Sequence, residues 1–253
     1  MISIPICPDC GSRVLTFESF SSHFQVQTFS IDLLTSSEVR TPISNKGITM
    51  SFSIYKIPKP ASEEDITKYT EIRLSTLSTN PEAFGSTYAR ECAFTPDHWV
   101  ARINTGGRKI FITIDKDKWI GTLNVLYPEM LLGVPKHTPY PPEISAAKGR
   151  GDLDVLMIFG MWVRPRYRKR RVAQMLVQHT LEMVRRNYIN QPDAEMEPVG
   201  KPKTKTRVIL LKVHNGNGAA WSLYEKNGFS SRKDAEGEGT VSSDHSWMAY
   251  IME

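Results

Sequence analysis

The chain has 253 residues, 40% of them hydrophobic, with a formal charge of +5 and an isoelectric point near 9.0. That is enough apolar material for one core of ordinary size with extensions, and it excludes a disordered or fibrous protein. No apolar run approaches the roughly 20 residues that span a bilayer, no basic and apolar leader opens the chain, and Cys7, Cys10 and Cys92 make no paired framework; the reading is a soluble protein of a reducing compartment, the cytoplasm, with the nucleus left open.

Residues 1–49 read as an irregular extension ahead of a single domain over residues 50–253. Cys7-Pro8-Asp9-Cys10-Gly11 has half the spacing of a zinc knuckle, but a structural site takes four ligands and only His23 stands near as a third, so no metal is expected. Ser51 to Ile57 alternates like a half-buried strand and is ended by Pro58 and Pro60. Ser62 with Asp65 three residues on resembles a capping box and predicts a helix to about Leu77, broken at Asn80-Pro81. Glu82 to Glu91 reads as a helical turn or loop, and Thr95-Pro96 opens another helix, with Trp99 and Ile103, closed by Gly106-Gly107.

Lys109 to Asp115 and Trp119 to Tyr127 are joined by the charged turn Lys116-Asp117 and should pair as a hairpin. Pro128 to Gly151 is rich in Pro and Gly and reads as a long loop inserted at about residues 128–151.

Val155 to Val163 is apolar on both alternating faces, as a central strand buried on both sides would be, and Pro165 ends it. From Arg164 to Arg171 six of eight residues are Arg or Lys, and Val172, Met175, Leu176, His179 and Met183 follow at helical spacing, predicting a helix from near Arg170 to near Asn187. A helix N-terminus presents unpaired N–H groups and the positive end of its dipole, so a phosphate is stabilised there before any side chain is counted. The modest total charge, concentrated in this turn, favours a local anionic ligand over a nucleic-acid surface. His179 falls on the apolar stripe and reads as a core histidine.

Residues 190–206, with three prolines and three lysines, read as a disordered insertion. Arg207 to Val213 is a second buried strand. Asn215 to Asn227 is a helix capped by Asn215 or Asn217 and stopped by Gly228, and Phe229 to Arg232 and Trp247 to Met252 are closing strands around the glycine- and acid-rich segment 236–244.

Two motifs carry a resemblance. Val163-Arg164-Pro165-Arg166-Tyr167 followed by Arg168-Lys169-Arg170-Arg171-Val172-Ala173 matches the lead-in and the Arg/Gln-x-x-Gly-x-Gly/Ala turn of one family, except that Arg171 holds its Gly position. Asn217-Gly218-Ala219-Ala220-Trp221-Ser222-Leu223-Tyr224-Glu225-Lys226-Asn227-Gly228-Phe229 fits that family's Asn-x-x-Ala-x-x-Leu-Tyr-Glu-Lys-x-Gly-Phe throughout. With this order of elements, residues 50–253 resemble the GNAT superfamily of acyl-coenzyme A dependent N-acyltransferases. The resemblance implies an α/β (α+β) fold: a twisted, mixed, mostly antiparallel sheet of about seven strands, helices on both faces, splayed at the strands that bind coenzyme A.

It further implies direct transfer of an acetyl group from acetyl-CoA, as co-substrate, to a primary amine of a small molecule or peptide. N–H groups across Lys169, Arg170, Arg171, Val172, Ala173 and Gln174, with Arg168, would hold the pyrophosphate, and Met161, Trp162 and Val163 would line the pantetheine arm. A side chain at position 171 is tolerated there only if it points outward, and φ > 0 would strain it. Tyr224 takes the position of the general acid that protonates the departing thiolate, and Asn217 and Ala220 would lie by the cofactor. Relatives place a Glu on the central strand as base, but Val155 to Val163 holds no acid or histidine; Asp154, just before it, is the tentative base. Glu82, Glu91 and His214 are further polar candidates. The missing strand acid and Arg171 motivate an alternative, a noncatalytic acyl-CoA sensor or scaffold. The resemblance leaves a homodimer open and implies neither a membrane nor a nucleic-acid partner.

Overall fold

The computed structural model describes residues 52–128, 140–189, 206–232 and 244–252. The half knuckle at Cys7 and Cys10, the extension 1–49, and most of the segments 190–206 and 236–244 lie outside these residues. Among the described residues the elements run, in chain order, β1 (Ser53–Lys56), α1 (Glu63–Thr79), a short 3-10 turn (Pro81–Ala83), α2 (Tyr88–Cys92), α3 (Pro96–Asn104), β2 (Arg108–Asp115) and β3 (Lys118–Leu126). There follow α4 (Pro142–Gly149), β4 (Leu153–Val163), a 3-10 turn (Pro165–Tyr167), α5 (Val172–Ile189), β5 (Thr206–His214), α6 (Gly218–Lys226), β6 (Ser230–Arg232) and β7 (His245–Met252).

The strands form one seven-stranded sheet in the order β1-β2-β3-β4-β5-β7-β6. Every neighbouring pair is antiparallel except β4 with β5. Successive residues of a strand point to opposite faces, and the packing follows. Ile110, Ile112 and Trp162 join Tyr69 and Ile72 of α1 and Trp99 and Ile103 of α3. Phe111, Leu123, Val125 and Ile158 meet Leu176, Val177, Leu181 and Val184 of α5 on the other face, along with Tyr224 of α6. Each such buried aliphatic or aromatic side chain stabilises the fold by roughly 1.5–3 kcal/mol relative to exposure.

The caps read from sequence form as chemistry dictates. Ser62 Oγ accepts from Asp65 N–H at 3.1 Å and donates to Asp65 Oδ2 at 2.8 Å, while the Tyr55 hydroxyl donates to the same Oδ2 at 3.0 Å. Asn217 Oδ1 accepts from Ala220 N–H at 3.1 Å, and Gly228 ends that helix with φ +87°. His179 stands half-buried in edge contact with Phe111, and burial lowers its pKa.

One expectation is corrected. Within the stretch read as a long loop, residues 142–149 are the helix α4, with Pro142 at its first turn and Ile144 buried against Val155, Val208 and Trp247. The prolines that suggested a loop stand before the helix and at its first position, where a missing N–H costs nothing.

Candidate active site

The site begins with how β4 pairs. Leu153 to Met157 run beside Thr206 to Leu210 of β5, and there the register ends. Beyond it β4 is held by β3 and β5 by β7, so the two parallel strands part. From Ile158 to Val163 the edge of β4 turned toward β5 has no strand partner among the described residues. That leaves a row of backbone donors and acceptors able to pair with an extended ligand.

On its other edge β4 carries a bulge. Asn124 pairs with Phe159 and Thr122 with Trp162, so Gly160 and Met161 stand opposite Leu123 alone. Gly160 takes φ +60°, and a Cβ there would sit 3.1 Å from Asn124 Nδ2. Only glycine meets both demands without strain. Phe159, Gly160 and Met161 are half-exposed although they belong to a central strand, which marks the opening between β4 and β5.

Tyr224 reaches this opening from α6. Its ring packs edge-on against Phe229, and its hydroxyl lies 3.6 Å from Met161 Sδ. At 6% exposure, burial pushes its pKa well above the ordinary tyrosine value, so the hydroxyl holds its proton across the neutral range.

At the C-terminal end of β4 the basic run forms a turn ahead of α5. Arg164 is tied into the fold, donating to Trp119 C=O at 2.8 Å and Glu71 at 3.0 Å, while Arg168 Nε donates to Val163 C=O at 3.1 Å. Lys169 and Arg171 both adopt left-handed backbone, φ +61° and +62°, and alternation of this kind turns successive N–H groups toward a concavity that binds anions. Met175 N–H donates to Arg171 C=O at 2.9 Å; the N–H groups ahead of it are those a helix leaves unpaired. The Arg171 side chain is exposed, as the resemblance required, while its backbone holds the conformation that glycine would take freely. The helix itself starts at Val172, two residues later than expected.

Asn80, read from sequence only as a helix breaker, bridges the site. Its Oδ1 accepts from Trp162 Nε1 at 3.1 Å and from Arg168 at 2.5 Å, and its Nδ2 donates to Glu82 at 3.2 Å. The Glu82 carboxyl is held low by its own backbone N–H and by Asn80, with the charges of His214 and Arg168 adding to the effect. His214 closes β5, its Nδ1 accepting from Gly216 N–H at 3.1 Å.

The structure therefore gathers Met161, Trp162, Val163, Arg168 to Gln174, Asn217, Ala220 and Tyr224 around the parted strands. Asn217 is engaged in capping α6. Asp154 is not brought to them: it pairs with Arg207 at the closed end of β4, and seven residues of strand put it about 20 Å from Met161. Glu91 is fully buried in ion pairs with Arg73 and Arg102. Among the described residues no group of acids, histidines and cysteines is placed to hold a metal, and no helix is long and apolar enough to cross a membrane.

Residues 75–192 match the Acetyltransferase (GNAT) family. A GNAT acetyltransferase from Streptococcus pneumoniae shares the fold at TM-score 0.50 and 14% identity, over 80% of this chain and 100% of its own. Arabidopsis thaliana NAA60, solved in complex with acetyl-CoA, superposes at TM-score 0.48 and 14% identity, over 80% and 99%. The ribosomal-protein-S18-alanine N-acetyltransferase of Escherichia coli does so at 0.44 and 13%, over 79% and 93%. Comparison with curated protein sequences finds no match.

Proposed function

We propose, from the match of residues 75–192 to the GNAT acetyltransferase family, that this protein transfers an acetyl group from acetyl-CoA to a primary amine. The observation that carries this reading is the parting of β4 from β5 after Met157, with a buried tyrosine hydroxyl at its edge.

The residues fit the cofactor. The left-handed turn at Lys169 and Arg171 and the start of α5 offer N–H groups to a pyrophosphate, and the unpaired edge of β4 at Met161 and Val163 offers backbone to the pantetheine arm. When bound, acetyl-CoA supplies an activated acetyl thioester. The amine nitrogen bonds to the acetyl carbon, the carbon–sulfur bond breaks, and the proton lost by the amine passes to water. Tyr224 donates its hydroxyl proton to the departing thiolate and regains one from solvent. Burial keeps the hydroxyl protonated at neutral pH until the thiolate departs, so the proton is in place when it is needed.

The test is calorimetric titration with acetyl-CoA, followed by thiol release over a panel of amines. Binding with turnover is expected, and Tyr224→Phe should lower kcat about a hundredfold with little change in acetyl-CoA affinity. Absence of binding at millimolar acetyl-CoA overturns the reading; unchanged kcat in the variant removes Tyr224 from the chemistry. Binding without turnover on any amine would point instead to an acyl-CoA sensor.

A further inference from the structure

Beneath α1 and α3 three guanidinium groups gather near one carboxylate, and two of them pair with it. Arg73 donates to Glu91 through Nε at 2.8 Å and Nη2 at 2.7 Å, and Arg102 reaches the same carboxylate at 3.3 Å. Arg108 takes no part in that pairing. Its Nε donates to Asn124 at 3.3 Å, its Nη1 to Arg102 C=O at 3.2 Å, and its guanidinium lies 4.8 Å from the centroid of the Phe159 ring. Exposure is 8% for Arg73, 7% for Arg108 and zero for Glu91. Among the described residues no second carboxylate pairs with any of the three arginines, so three positive charges meet one negative charge: Arg102 is partly exposed, and Arg108 is buried without a carboxylate. Burial of unpaired charge is unfavourable, and a fold that needed only a buried ion pair would have it in Arg73 and Glu91 alone.

The surplus adjoins the bulge of β4. Arg73 Nη1, which makes no hydrogen bond among the described residues, lies 3.8 Å from where a Cβ on Gly160 would stand. Phe159 and Gly160 are half-exposed there, and Met161, beside the Tyr224 hydroxyl, is the next residue. Asn124 completes this corner: Oδ1 accepts from Tyr69 at 3.0 Å as well as from Arg108, which fixes the amide against Gly160.

Resting on the acetyltransferase reading above, we infer that the acceptor is a small amine bearing a carboxylate, the carboxylate being received by Arg73 and Arg108. Guanidinium is the group whose hydrogen bonds suit a carboxylate best. A peptide N-terminus has an amide in place of that carboxylate and leaves the charge uncompensated.

The experiment uses the full chain with acetyl-CoA, whose binding is first verified by calorimetry. If acetyl-CoA does not bind, the acetyltransferase reading falls and this inference with it. With binding intact, thiol release is measured for the common α-amino acids and β-alanine, each beside its carboxamide and a tripeptide sharing its first residue. The expected result is a kcat/KM roughly tenfold to a hundredfold higher for a free acid than for its carboxamide, the range for a hydrogen bond to a charged group. Carboxamides or peptides used as well as the acids, or no acid used at all, overturn the acceptor class while leaving the acetyltransferase reading in place. Arg108→Gln should bring the acid-to-carboxamide ratio toward one; a variant that weakens both equally shows Arg108 to be structural and overturns its role. If that variant does not fold, the comparison on the unaltered protein decides.

Discussion

The indole N–H of Trp162 donates to Asn80 Oδ1 across 3.1 Å, joining the open end of the central strand to the end of α1. The same oxygen receives Arg168 from the basic turn. One side chain therefore ties together the end of α1, the open end of β4 and the basic turn.

Asn80→Ala leaves the buried Trp162 Nε1–H without its acceptor and releases Arg168. The expected cost is about 1–3 kcal/mol in a denaturant titration, together with weaker acetyl-CoA binding by calorimetry. Unchanged stability would show that water replaces the amide at no cost.

Arg171 stands at φ +62° with its side chain exposed. Left-handed backbone costs a residue with a Cβ about 1–2 kcal/mol, so Arg171→Gly should stabilise the fold by about 1 kcal/mol after the flexibility glycine adds to the unfolded chain. Thermal unfolding measures this. Acetyl-CoA affinity should change little, the loss of one exposed charge being offset by a turn that closes on phosphate without strain.

Glu91 is the counter-ion of a buried cationic group. Glu91→Gln leaves Arg73 and Arg102 without their partner and should destabilise the protein by about 3–5 kcal/mol. The sign against pH follows. Burial would raise the Glu91 carboxyl, but Arg73 above all, then Ser86 and Arg102, bring it below the ordinary value of 4.5. Its folded pKa lies below its unfolded one, so its contribution is present above about pH 4.5 and is lost as the solution is acidified below that. Acid unfolding followed by circular dichroism should begin at higher pH in the variant.

Tyr55 and Tyr224 act at the other end of the scale. Burial, the hydrogen bond to Asp65 and nearby carboxylates push Tyr55 up to about 12, and burial alone raises Tyr224. Each ionises in the unfolded chain near its ordinary 10.0 while the folded protein keeps the proton. The unfolded state then binds fewer protons, and stability falls as pH rises above about 10. Tyr55→Phe should flatten that fall in an alkaline titration; an identical slope would remove Tyr55 from it.

Much of this protein is written in local patterns. Alternating and continuous apolar runs set the strands from β1 to β5, and Ser62, Asn217 and Gly228 set helix ends, because each depends on residues a few positions apart. The basic turn before an amphipathic helix and the Tyr224 motif were legible for the same reason. Helix α4 was missed because prolines, read singly, look alike at a helix start and in a loop.

What only the tertiary structure decided is how distant segments meet. The parting of β4 from β5 depends on a register between strands about 50 residues apart in the chain. The bulge that turns Gly160 toward Asn124 depends on a mismatch of one residue with β3. Asp154, near the motif in sequence, was carried to the far end of the strand because an extended chain gains about 3.3 Å with every residue. Arg73, Arg102, Arg108 and Glu91 lie on four separate elements and carry no common spacing. Their convergence, and the surplus charge it places beside the site, arises only when helices and sheet pack together, since charge surplus is a property of a volume and not of a stretch of chain.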